Sequence, residues 1–169
     1  MYRRAAVLST LGAAALIAIM VWFFYFYYEG RMGPEQPIAF SHRLHADVKG
    51  ISCYVCHSGA MQSPRAGVPP LETCMLCHER IIITYPEIRK LRDHFARREP
   101  VEWIKVYDVP EFVYFNHEVH IRRQVDCGVC HGDVKAMDRL VAAHDLNMGL
   151  CVQCHRDNKV SHDCYVCHR

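Results

Sequence analysis

The stretch Cys53-Tyr-Val-Cys56-His57 recurs four more times in this sequence, with its two cysteines and its histidine in place. The other copies are Cys74-Met-Leu-Cys77-His78, Cys127-Gly-Val-Cys130-His131, Cys151-Val-Gln-Cys154-His155 and Cys164-Tyr-Val-Cys167-His168. All ten cysteines of the 169-residue chain lie in these five copies. None remains for a disulfide framework, a zinc site or a nucleophile.

The pattern Cys-x-x-Cys-His is the attachment sequence of haem c. Two thiols at this spacing add to the two vinyl groups of one porphyrin, and the adjoining histidine becomes the proximal iron ligand. The sequence therefore predicts five haem c groups, attached through Cys53, Cys56, Cys74, Cys77, Cys127, Cys130, Cys151, Cys154, Cys164 and Cys167. The predicted proximal ligands are His57, His78, His131, His155 and His168.

Two histidine pairs stand ahead of these motifs, in Phe40-Ser-His42-Arg-Leu-His45 and in Phe115-Asn-His117-Glu-Val-His120. A spacing of three residues puts both imidazoles on one face of a helical turn, where each can reach a different haem. We therefore predict that the four histidines are distal iron ligands.

The chain carries an internal repeat, because each aromatic residue and histidine pair is followed by two attachment motifs. A fifth motif closes the second module. The predicted organisation is an N-terminal transmembrane anchor at 1–29, a Gly/Pro linker at 30–39, a dihaem module at 40–79, an inter-module helix and linker at 80–112, and a trihaem module at 113–169.

An apolar run without charges extends from Ala5 to Tyr28 and ends in seven consecutive aromatic residues. As a helix it would be about 36 Å long, enough to cross a bilayer. Arg3 and Arg4 before the run predict a cytoplasmic N-terminus, with the haem domain on the periplasmic side of the inner membrane. A cleaved signal peptide is the alternative, but its apolar region would be shorter and followed by small residues, so we expect an uncleaved single-pass anchor.

The composition shows 20 basic and 18 acidic side chains, with no basic excess that would indicate nucleic-acid binding. Porphyrins of five haems would form most of the hydrophobic core, so we predict a multihaem cytochrome c fold of short α-helices and loops. Between the modules, residues 86–98 predict a charged surface helix on which His94 is solvated. The stretch through Trp103 and Tyr107 predicts short extended structure.

The succession Phe-x-His-x-x-His and Cys-x-x-Cys-His resembles class III cytochromes c, including the trihaem cytochromes c7. The resemblance implies that His42 serves the His57 haem and His45 the His78 haem. In the same way, the resemblance implies that His117 serves the His131 haem and His120 serves the His155 haem. The distal ligand of the fifth haem stays open between Met148, His144 and His162, with Met148 preferred because a thioether is an established axial ligand.

A closer resemblance covers nearly the whole chain: the anchor, the segments 37–42 and 67–70, the linker 100–110 and the run 147–151. These are similar to the pentahaem subunit of alternative complex III, a quinol:electron acceptor oxidoreductase. The sequence departs from that family at Leu150, where tryptophan is common, and at Tyr107, where histidine is common. The resemblance implies an electron-transfer subunit that is not itself the quinol-oxidising enzyme. Its implied partners are an iron-sulfur subunit, integral-membrane quinol-binding subunits, and a monohaem cytochrome c or oxidase as acceptor.

Two other functions compete with this interpretation. A free-standing, membrane-anchored quinol dehydrogenase would carry its first haem motif close to the anchor, whereas a long stretch separates Tyr28 from Cys53. A multihaem reductase of nitrite or a sulfur oxyanion needs an open iron, often with an altered motif. All five motifs here end in histidine, which disfavours such an enzyme.

The motif count predicts the mass of the mature protein. Because five complete motifs use every cysteine, the intact mass of the native chain should exceed the polypeptide mass by five haem units. Mass spectrometry of matured protein that shows four or fewer additions would contradict the count. Cys127→Ala or Cys151→Ala should first disturb one attachment site, with wider misfolding because the haems form the core.

Overall fold

The computed structural model of the chain describes residues 2–28 and 33–168. Contacts divide the chain into two units, 1–33 and 34–169. The first unit consists of α1 (Tyr2–Trp22) and a π-helical continuation, Phe23–Tyr28. Glu29 and the first residues of the predicted linker lie outside the described residues.

The first unit is long and apolar enough to cross a membrane. The most apolar 18-residue stretch within Tyr2–Phe26 has a mean hydropathy of 2.3, and none of that stretch is buried against the protein. The predicted apolar helix is therefore confirmed. Because its length and composition also suit a cleaved signal sequence, its retention in the mature protein and its orientation remain predictions.

The second unit is built from short helices joined by loops. The helices are α2 (Cys53–Cys56), α3 (Leu71–His78), α4 (Pro86–Arg97), α5 (His117–Arg122), α6 (Gly128–His131), α7 (Met148–Asp157) and α8 (Cys164–Cys167). Single turns of other helix types lie between them: a π-helical turn at Arg43–Val48 and 3₁₀ turns at Ser58–Met61 and Val134–Ala136. Every attachment motif therefore includes helical residues, in a unit of short helices and loops as predicted.

Helix α4 confirms the predicted inter-module helix and ends one residue earlier than expected. Pro86 occupies its first turn, where a missing N–H costs no hydrogen bond, and Arg98 closes it with a left-handed φ of 55°. His94 on this helix is half-buried, and its Nδ1 is enclosed without a hydrogen-bond partner among the described residues. The expectation of a solvated His94 is therefore wrong, because this part of α4 packs inward.

The stretch after Pro100, for which short extended structure is predicted, is not paired as a strand. In residues 33–168 the only strand-like pairing is an isolated antiparallel bridge between Val113 and His168. Trp103 instead packs beside Val101, which is buried. Side-chain packing against α3 and α4 thus takes the place of strand pairing in this linker.

The apolar core of the described residues is small. One cluster joins Ile38, Met75, Leu91 and Val101, with Leu71, Cys74, Ile88 and Trp103 packed against it. Ala60 is the one further described apolar residue that is buried, and no polar residue of the described chain is buried to the same degree. The cluster holds α3 and α4 against the segment that enters the unit after residue 34.

Leu91→Ala tests the importance of this cluster. Leu91 is 5% exposed, so its truncation should lower the free energy of unfolding by about 2–5 kcal/mol through lost burial and a residual cavity. Urea unfolding of the holoprotein, followed by far-UV circular dichroism, measures the change. Val68→Ala, at a side chain that is 57% exposed, is the control and should change stability by less than about 0.5 kcal/mol. Equal effects of the two substitutions would contradict the assignment of the core.

Candidate haem-binding sites

The attachment motifs are held in helical turns by the hydrogen bond from the histidine amide to the first cysteine carbonyl. This bond measures 2.8 Å for His57 and Cys53, 2.9 Å for His131 and Cys127, and 2.8 Å for His168 and Cys164. Each bond closes one helical turn over the motif. All ten cysteines are free of disulfides, as their use for haem attachment requires.

Three pairs of histidine rings face each other across similar distances. The ring centroids are 6.1 Å apart for His45 and His78, 6.3 Å for His117 and His131, and 6.2 Å for His120 and His155. Each pair joins a motif histidine to a member of a histidine pair. A metal ion about 2 Å from one nitrogen of each ring, with the rings on opposite sides, would hold the centroids roughly 6 Å apart. The donor sets therefore fit bis-histidine haem ligation.

In the fourth predicted pairing, His42 lies near His57, and the pairing itself stays a prediction. The pKa of His42 is lowered to about 4, chiefly because the ring is partly buried and further because His57 and His45 lie nearby. The pKa of His131 is also lowered, chiefly by partial burial and further by the nearby His117 and His57. Both imidazoles are therefore neutral at physiological pH, which is the form that binds a metal ion.

Most of the candidate ligands donate a hydrogen bond from Nδ1 to a main-chain carbonyl. The proximal candidates His57 and His155 reach Gly67 and Ser161, each at 2.6 Å, and His168 reaches Phe112 at 3.3 Å. The distal candidates make the same bond at 2.8 Å, from His45 to Ser41, His117 to Pro64 and His120 to Asn116. A carbonyl can only accept, so Nδ1 carries the proton and the lone pair of Nε2 is left for a metal.

The aromatic residue before each histidine pair packs against both of its rings. The Phe40 ring lies parallel to His45 at 4.4 Å and meets His42 edge-on at 5.0 Å. In the second module Phe115 repeats this arrangement, at 4.6 Å from His120 and 4.7 Å from His117. The sequence repeat is thus also a repeat of geometry, and one phenylalanine orients two candidate ligands in each module.

The fifth motif has different surroundings. Within residues 33–168 the ring of His168 contacts Phe112 at 5.7 Å and does not face a second histidine. Met148 is the first residue of α7 and is 70% exposed. His144 lies in a surface cleft beside Tyr107 and Asp108, and His162 lies in another beside Arg156 and Lys159. Within residues 33–168 no ring contact joins His144 or His162 to His168, and Met148 is largely exposed, so the choice among the three stays a prediction.

Tyr107 is a site residue that the motif analysis missed. Its ring meets His131 edge-on at 4.6 Å. Its hydroxyl lies 3.1 Å from the His131 carbonyl and 3.3 Å from that of Val141, and it accepts a bond of 2.8 Å from the Ala143 amide. Tyr107 therefore ties a motif histidine to a distant loop. Sequence reasoning noticed this position only as a departure from the related family.

Asp138 is the second such residue. Its carboxylate accepts hydrogen bonds from the Ser41 hydroxyl at 2.6 Å and the Arg43 guanidinium at 2.9 Å. These hydrogen bonds hold the pKa of Asp138 below its usual range, and the bond from Ser41 has the larger effect. The Arg43 amide also donates to the Met137 carbonyl at 3.0 Å. The turn that carries His42 and His45 is thereby attached to the segment after His131, and no local sequence signal marks this contact.

Cysteines of different motifs also lie near one another. Four thiols have a raised pKa, for which burial is the largest cause and a nearby cysteine of another motif is the second. That neighbour is Cys56 for Cys74, Cys53 for Cys127, Cys154 for Cys130 and Cys167 for Cys151. The five motifs therefore form one continuous group.

His120→Ala tests the distal ligands. Because His120 faces His155, its loss should convert one six-coordinate low-spin haem into a high-spin or five-coordinate one. Low-temperature EPR of the oxidised holoprotein measures this. Val119→Ala, at an exposed position of the same helix, is the control and should leave all signals in place. An unchanged low-spin count in His120→Ala would contradict the assignment.

Comparison with known proteins finds a multihaem relative. No family model matches the chain. The chain is similar to a protein of Nitratidesulfovibrio vulgaris (strain Hildenborough) named "Menaquinone reductase, multiheme cytochrome c subunit". The two are 27% identical over 162 residues, covering 80% of this chain and 77% of the relative. The similarity supports a multihaem cytochrome c linked to quinone chemistry and carrying haem c, and it does not single out alternative complex III.

Proposed function

We propose that this chain is a membrane-anchored electron-transfer subunit of a quinone-linked respiratory complex and carries five haem c groups. It takes electrons from an iron-sulfur subunit and passes them to a monohaem cytochrome c or an oxidase. The haem domain lies on the periplasmic side of the cytoplasmic membrane. The similarity to a multihaem subunit of a quinone-linked enzyme supports the class of complex.

The observation that carries the proposal is the set of facing imidazoles. Three pairs, from six of the predicted ligands, each have their ring centroids 6.1–6.3 Å apart. Each such pair would hold a haem iron through two imidazoles and leave it no ligand position for a substrate. At these three sites such ligation would suit electron transfer and disfavour the reductase chemistry considered above.

Each residue type has a separate task. The cysteines would attach the porphyrins, and the motif histidines and the paired histidines would bind the iron. Carbonyl acceptors and Phe40 and Phe115 hold the imidazoles in place, as outer contacts of a metal ligand commonly do. Haem c, when bound, supplies a one-electron couple whose potential depends on ligands and burial.

The direction of electron flow has two candidates. The resemblance to alternative complex III favours oxidation of quinol. The relative is named a menaquinone reductase, which favours electron delivery toward a quinone. We propose quinol oxidation, and a redox titration of the complex separates the two. Haem midpoint potentials above that of the quinone couple fit quinol oxidation, and potentials below it fit quinone reduction.

The anchor gives a reason for further membrane subunits. Two protons leave for each quinol oxidised, so a quinol site needs a group that accepts them. The apolar run from Ala5 to Tyr28 contains no histidine, aspartate or glutamate. The quinol site therefore belongs to integral-membrane partners, which disfavours the free-standing quinol dehydrogenase.

Quinol oxidation by the isolated chain tests this proposal. The full-length holoprotein should accept electrons from chemical reductants but oxidise a menaquinol analogue poorly, because it lacks a proton acceptor in the membrane. Stopped-flow absorbance of the haem bands measures the rate, and the complex purified from native membranes is the positive control. Rapid, inhibitor-sensitive reduction of the isolated chain would contradict the proposal and favour the free-standing dehydrogenase.

A further inference from the structure

Residues 63–67, here called the bridging loop, contact candidate ligands from both modules. The Gly67 carbonyl accepts the Nδ1 hydrogen bond of His57, at 2.6 Å. The Pro64 carbonyl accepts that of His117, at 2.8 Å. One loop thus orients the proximal candidate of the first motif and a distal candidate of the second module.

The bridging loop also holds the start of α5. The amide of His117 donates to the Pro64 carbonyl at 3.2 Å, and that of Glu118 donates to the Ser63 carbonyl at 3.3 Å. Pro64 therefore receives both the main-chain and the side-chain bond of His117. The position of His117 depends on this loop as much as on its own helix.

The bridging loop is held by hydrogen bonds within it and by close contact with the neighbouring 3₁₀ turn. The Ser63 hydroxyl donates to the Arg65 carbonyl at 2.7 Å and accepts from the Arg65 amide at 3.0 Å. Gly59, in the neighbouring 3₁₀ turn, approaches so closely that an added Cβ would lie 2.7 Å from the carbonyl oxygens of both Arg65 and Ala66. These neighbours are main-chain atoms, so a methyl group at residue 59 must displace the loop.

We propose that the bridging loop is a positioning element that sets the ring orientations of His57 and His117 together. It thereby makes the His57 and His131 sites neighbours and forms the junction between the two modules. The inference rests on the proposed haem ligation. It goes beyond that proposal because it assigns a function to residues that bind no iron themselves.

The junction also orders the sites in space. His42 and His45 share one turn, which makes the His57 and His78 sites neighbours. His117 and His120 share α5, which does the same for the His131 and His155 sites. With the bridging loop between them, the order is His78, His57, His131, His155. The Ala39 amide, near the start of the second unit, donates to Glu87 of α4. Arg92 of the same helix donates to the His78 carbonyl at 3.3 Å, so this contact lies at the His78 end of the order.

Gly59→Ala in the full-length holoprotein is the direct test. The rings of His117 and His131 are nearly parallel, with 6° between their planes, and low-spin haem g-values depend on this angle. Displacement of the loop should therefore shift two low-spin EPR signals, those of the His57 and His131 sites. His42→Met, which alters only the His57 site, identifies one of these signals beforehand. His117→Met, which alters the His131 site and also removes the bond to Pro64, then identifies the other.

Milder variants keep the test decisive where Gly59→Ala does not mature. Ser63→Ala removes the internal brace and should shift the same two signals, whereas Ser63→Thr keeps the hydroxyl and should restore them. Met61→Ala, at an exposed position of the 3₁₀ turn, should leave all signals unchanged. A shift of one signal, of none, or of all five alike would overturn the proposal.

Intact mass separates this inference from the proposed function. Fewer than five haem additions in the unmodified protein would contradict the proposed haem count. A full count in Ser63→Ala with unmoved EPR signals would contradict only the role of the bridging loop.

Discussion

Hydrogen bonds from histidine Nδ1 atoms to main-chain carbonyls are the interaction on which the candidate sites depend. Each bond determines which ring nitrogen carries the proton and which way the ring turns, so it prepares Nε2 for a metal. Two of the acceptors, Ser41 and Asn116, precede the histidine by one helical turn. Others, such as Pro64 and Phe112, are more than fifty positions away. The local bonds repeat between the modules, whereas the distant ones join parts of the chain to each other.

The small apolar core is consistent with this arrangement. One cluster around Leu91 holds α3, α4 and the entering segment together, while most of the described apolar residues remain partly exposed. Elsewhere the chain is held by hydrogen bonds between loops, such as those of Tyr107 with His131 and Asp138 with Ser41. A chain whose ligands are positioned in this way tolerates short helices, because no long helix face has to be buried.

The two modules show how a repeat is adapted to two positions. Phe40 and Phe115 pack against their histidine pairs in the same way, at nearly equal distances. The surroundings of the two pairs differ. His117 bonds to the bridging loop of the first module, whereas Arg43, beside the first pair, bonds to Asp138 of the second module. Contacts therefore run in both directions between the modules. The fifth motif has no histidine pair of its own and is attached through residues 112–114.

The sequence by itself determined the five attachment motifs, the apolar N-terminal helix, helix α4 and the two histidine pairs, because each is a local pattern of residue type and spacing. It also suggested, through resemblance, which histidines face each other, and three of those pairs have the expected separation. Only the tertiary structure decided that the bridging loop, Tyr107 and Asp138 hold these histidines. Their contacts use main-chain carbonyls and residues far apart in the chain, and a carbonyl carries no sequence signal. The half-buried His94 and the absence of a strand near Trp103 in the described chain have the same origin, because long-range packing there outweighs local propensity.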